Sequence, residues 1–72
     1  MTLMKMKTKS LVMDQDFAYN EKLGLPVEVY CPQAHQTIAF GRIQARDDRY
    51  IVINSEKHAL DDYFFFGCPC VH

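Results

Sequence analysis

The sequence predicts a small, mainly β protein with one short helix, and three observations lead there. From residue 27 onward apolar and polar residues alternate with a period near two, the pattern of a pleated strand with one covered face. Polar clusters at 32–36, 47–49 and 55–62 divide that stretch into pieces of strand length. Only one segment, DQDFAYNEKL at 14–23, carries both a start and a stop signal for a helix.

With 72 residues the chain has room for one domain, and domains of this size bury only about 60% of the surface their unfolded chains expose. The apolar set makes up 49% of it, too much for disorder and normal for a packed domain. Net charge is −1, unevenly spread. Residues 1–13 carry Lys5, Lys7 and Lys9 with no acid, whereas the rest sets Lys22, Arg42, Arg46, Arg49 and Lys57 against nine acids.

No apolar run approaches the ~20 residues a membrane helix needs. The N-terminal lysines are not followed by the apolar stretch of a secretory leader. Three cysteines leave one thiol unpaired in a monomer. The expected setting is therefore reducing and cytoplasmic.

The elements follow in order as one domain, 1–72. Residues 1–13 read as a basic strand or tail, with the lysines on one parity and Met4, Met6, Thr8, Ser10 and Val12 on the other. The helix spans 14–24, with Asp14 as its cap, Asp16 at the positive end of the dipole, Lys22 at the negative end and Gly24 where it stops. Ten residues make a weak helix in isolation, so Phe17, Ala18 and Leu23 are expected to pack on something else.

Residues 25–67 form the sheet, of four or five antiparallel strands. Val27, Val29 and Cys31 share a face of the first. In the second, Ile38 and Phe40 lie on even positions and Ile43 and Ala45 on odd ones. A bulge or bend at Gly41 would return both sets to the core. YIVIN at 50–54 is a third strand, 55–62 a polar loop, and YFFF at 63–66 the last strand. The order looks like an SH3-like or Sm-like small barrel. That resemblance is architectural, rests on no motif and implies no function.

Four constellations bear on chemistry. In the tail at 68–72, Cys68, Cys70 and His72 recur at every second residue and share a face of an extended chain. With Cys31 they would make a closed tetrahedral zinc site. The plainer reading is a thiol-bearing chain end with Cys31 a small buried apolar residue, and the expectation is no cofactor. For catalysis, His35, His58 and the pairs Asp47–Asp48 and Asp61–Asp62 lie in turns without a surrounding motif, and a non-enzyme is expected.

For nucleic acid, Lys5, Lys7, Lys9, Arg42, Arg46 and Arg49 supply positive charge, and Tyr30 and Tyr50 supply stacking surfaces. Against it stands the acidic remainder of the chain. For protein binding, Tyr63, Phe64, Phe65 and Phe66 put aromatic rings on both faces of one short strand, and a core of this size covers one face more readily than two. The sequence thus reads as a small non-catalytic binding or regulatory protein that meets a protein partner or a second copy of itself. A nucleic-acid-binding barrel and a zinc-stabilised module are the alternatives.

Overall fold

The structure is a computed structural model and describes residues 9–68. Its order is β1 (Lys9–Ser10), α1 (Asp14–Leu23), β2 (Pro26–Cys31), β3 (Gln36–Arg46), β4 (Tyr50–Ile53), β5 (Glu56–Ala59) and β6 (Phe64–Gly67). The strands form one antiparallel sheet in the order β1-β6-β2-β3-β4-β5. The mainly β architecture with one short helix is the expected one. Among the described residues no ladder joins β1 to β5, so the sheet is open and its topology does not support the barrel.

One face of the sheet is dry. Leu11, Val27, Val29, Ile43, Ile51, Ile53 and Phe65 are buried together with Phe17 of α1, and Ala39, Leu60 and Tyr63 pack around them. The helix lies against this face. Phe17 meets Phe65 edge-on, with ring centroids 5.7 Å apart and planes at 79°. Ridge packing of a short helix on a sheet is what lets ten helical residues persist.

The helix begins at Asp14 as expected, but its cap lies one residue earlier than expected. Met13 is its N-cap and makes no side-chain cap bond, while Asp14 and Asp16 sit in the first turn, where their charge suits the dipole. Gly24 ends it in a left-handed conformation, φ 67°, its N–H reaching the carbonyls of Asn20 and Glu21. Leu23 does not pack as expected; it is exposed.

Asn20, fully buried, ties the helix to the end of β6. Its side-chain amide donates to the carbonyl oxygens of Asp16 and Cys68, both at 2.7 Å, and its Oδ1 accepts from the Cys68 N–H at 3.1 Å. Gly67 is required beside it. A Cβ there would stand 2.9 Å from Asn20 Oδ1 and 3.0 Å from Leu11 Cδ1.

β3 departs from the expected geometry. Its first part pairs with β2, from Gln36 to Arg42, and its last part pairs with β4, from Ile43 to Arg46. The irregularities lie not at Gly41 but on either side of it. One is an extra residue at Ile38, between Thr37 and Ala39; the other is at Gln44, between Ile43 and Ala45. Gly41 pairs regularly with Val27. The bulges change parity as a bend would, with a different outcome. Ile43 is buried, but Ile38, Phe40 and Ala45 face outward.

The expected loop at 55–62 contains a strand. Asn54 and Ser55, both left-handed at φ 55° and 66°, form a two-residue turn that reverses β4 into β5. Two positive φ values in succession give the twist that a tight hairpin needs.

Candidate functional site: the outer sheet face

The pleat that buries Val27, Val29 and Phe65 turns their neighbours to the other side of the sheet. Phe66 and Phe40 both stand opposite Glu28, and Ser10 stands opposite Phe66, so Ser10, Phe66, Glu28 and Phe40 form one row across four strands. Phe64 and Thr37 stand opposite Tyr30 in the next row. Phe40 is 62% exposed and Phe64 53%, with Ile38 exposed beside them. Tyr30 and Phe66 are half-buried because their rings meet edge to face, centroids 6.5 Å apart. Glu28 is the one charge inside the patch, and it accepts a hydrogen bond from the Thr37 hydroxyl.

The aromatic run therefore divides between two roles. Phe65 is core, 2% exposed, and Tyr63 packs against the core and edge-on to His58, so neither belongs to an outer surface. Phe64 and Phe66 do. Tyr30 and Phe40 join them from strands 24 to 36 residues away in sequence. Phe40 was expected inside, and its exposure follows from the regular pairing of Ala39 to Arg42 with β2, which leaves no bend at Gly41 and so sets Phe40 on the face opposite Ile43.

Among the described residues the expected basic side chains do not assemble into one surface. Lys5 and Lys7 lie outside the described residues. Lys9 is on β1, three strand spacings or about 14 Å from β3. Arg42 and Arg49 are exposed, Arg42 near the helix end at Gly24 and Arg49 in the β3–β4 turn. On a regular strand Arg46 would lie on the same face as Arg42. The bulge at Gln44 instead sets it opposite buried Ile51 and turns it toward the helix. Its Nη1 meets Asp14 Oδ1 at 2.7 Å and its Nε meets Glu21 Oε1 at 2.8 Å. Hydrogen bonds that it donates to Asp14 and then to Glu21 hold its guanidinium above its ordinary pKa. Its charge is committed within the fold. Of the expected stacking rings, Tyr50 lies under Lys57, whose Nζ is 5.1 Å from the ring centroid.

Cys31 and Cys68 lie at opposite ends of the β2–β6 ladder. Tyr30 pairs with Phe64 and Glu28 with Phe66, so five residue steps separate the two cysteines along the ladder, about 16 Å. One ion cannot take both, and Cys31 drops out of the proposed ligand set on that ground. Cys70 and His72 lie outside the described residues. Among the described residues no three Cys, His, Asp or Glu side chains converge on a common point.

The residues considered for catalysis are scattered as well. His35 sits exposed in the β2–β3 turn with a left-handed backbone, φ 54°. His58 is on β5, 3% exposed, and its Nε2 has no hydrogen-bond partner among the described residues. Asp47 organises the β3–β4 turn by accepting from the N–H groups of Arg49 and Tyr50 at 2.8 and 2.9 Å, and these bonds pull its pKa down. Asp61 and Asp62 are exposed in the β5–β6 loop. Among the described residues no helix is long and apolar enough to cross a membrane. No protein-family model matches this chain, and no curated protein or solved structure matches it either.

Proposed function

We propose that this protein is a non-catalytic binding module that uses the outer face of β6, β2 and β3 to bind a protein partner. One observation carries the reading: Phe40, Phe64, Phe66 and Tyr30 converge on a face whose opposite side is already the core. Large aromatic side chains supply much of the energy of protein interfaces, and a contiguous apolar surface on so small a domain is a liability unless something covers it. Glu28 at its centre favours a partner that offers a hydrogen-bond donor there, which would give the contact register.

The test is a photo-crosslinking phenylalanine analogue at position 40, introduced in living cells, with and without Phe64→Ser. Protein adducts at position 40 are expected, and the serine variant should lose most of them while its thermal unfolding stays close to that of the parent. Absence of adducts at position 40, with adducts forming equally from exposed Asp48, rules the face out.

A further inference from the structure

On the helix side of the molecule the fold leaves an apolar groove with an acidic rim. A cavity of about 450 Å³ opens between the segment after β1 and the β5–β6 loop. Buried Leu11, Phe17 and Phe65 make its floor, and Val12, 75% exposed, stands on its wall with Leu60 and Phe64. A second cavity of about 240 Å³ adjoins it, sharing Val12, Phe17 and Leu60, and runs to the β3–β4 turn.

The charge along this groove is one-sided. Asp61 and Asp62 line the first cavity, and Asp14, Asp47 and Asp48 line the second. Among the described lining residues the single cation is Arg46, which Asp14 and Glu21 already neutralise. A concave apolar surface bounded by Asp48, Asp61 and Asp62, for which no ion pair is found among the described residues, focuses a negative potential on whatever enters it. A metal ion is a poor fit, because the floor carries no ligating atoms. A free small cation would leave the floor wet.

We infer that this groove binds a basic peptide segment of a partner protein, with an apolar side chain seated on Leu11, Phe17 and Phe65 and flanking lysines or arginines at Asp61, Asp62 and Asp48. The apolar anchor supplies affinity and the acidic rim selects the sign of the segment. The groove lies on the helix side and shares Phe64 with the outer sheet face, whereas Phe40 lines neither cavity and so tells the two sites apart.

The probe is a fluorescein-labelled decapeptide of alternating lysine and serine with one central phenylalanine, titrated with the full chain at low salt. Two control peptides replace every lysine by glutamate or the phenylalanine by serine. Binding is expected for the first peptide only, weakening as salt rises because exposed charges are screened over about 10 Å at 0.1 M. The pair Asp61→Asn and Asp62→Asn should weaken it at least about fivefold, consistent with two exposed ion pairs. Val12→Ser should weaken it separately while leaving the rim intact. Amide chemical-shift changes should cluster at residues 11–17, 47–48 and 60–65 and leave Phe40 unmoved. The inference is overturned by absence of binding at about millimolar protein, by equal binding of the glutamate peptide or by shifts centred on Phe40. It also fails if the chain self-associates in a way that Asp61→Asn with Asp62→Asn abolishes, since the occupant is then a second copy.

Discussion

Asn20 shows how much one polar side chain decides in a domain this small. Three hydrogen bonds pass through its amide, and two of them connect the helix to the C-terminal end of β6 across 48 residues of chain. Asn20→Ala removes all three and leaves the half-buried backbone groups of Cys68 without the amide. A loss of about 2–4 kcal/mol is expected, since each net bond is worth about 1 kcal/mol and an unsatisfied group costs more. Urea unfolding monitored by circular dichroism measures it; a change under about 0.5 kcal/mol would mean that water replaces the amide without penalty. Gly41 is the second decisive position. Its backbone is regular, but a Cβ would lie 2.9 Å from Asn54 Oδ1 and 3.3 Å from Ile53 Cγ2. Asn54 is exposed and can swing away, whereas Ile53 is fully buried and cannot. Gly41→Ala should therefore be mild and Gly41→Val should cost at least about 1 kcal/mol through overpacking. Equal costs for the two would point to the backbone instead of to Ile53.

At the level of elements, the β4–β5 hairpin and β3 were the hardest to read. The turn Asn54-Ser55 uses serine where glycine is the usual signal, and the strand that follows, EKHA, has little β propensity. It is a strand because it is an edge paired to the very apolar β4, with His58 opposite Ile51. Serine at φ 66° is held in a conformation that glycine adopts freely. Ser55→Gly should raise stability by about 0.5–1 kcal/mol, read as a higher unfolding midpoint with an unchanged denaturant slope. A fall would show that the bond from the Ser55 N–H to Gln44 Oε1, 2.7 Å long, depends on the side chain that serine holds in place. The helix was the most legible element. Its acids, its lysine and its glycine stop lie within one residue of their expected places, because capping is local chemistry.

For the whole molecule, the pairing order decides which aromatic rings are core and which are surface. Phe64 and Phe65 are adjacent in sequence and opposite in role. Phe65→Ala should cost about 3–5 kcal/mol, comparable to the entire stability of a domain this size, and should leave the chain largely unfolded. Phe64→Ser should change stability little, because its ring is more than half exposed. Similar losses for both would mean that the outer face is covered from within the chain. The open edges belong to this scale too. β5 carries Glu56 and Lys57 at the sheet margin, charges that discourage edge-to-edge pairing with another chain, and β1 is two residues long.

By itself the sequence determined the class, the helix with its boundaries to within a residue, and an aromatic strand near the C-terminus, expected at 63–66 and found at Phe64–Gly67. These depend on periodicity, caps and composition, which act within a few residues. Tertiary structure alone decided that Arg46 is bound to the helix, that Cys31 and Cys68 stand at opposite ends of a ladder, and that Phe40 joins Phe64 on an outer face. Arg46 turns on the extra residue at Gln44, the two cysteines on the β2–β6 register, and Phe40 on the regular pairing through Gly41. Because side chains alternate with a period of two, a single inserted residue exchanges inside for outside along the rest of a strand.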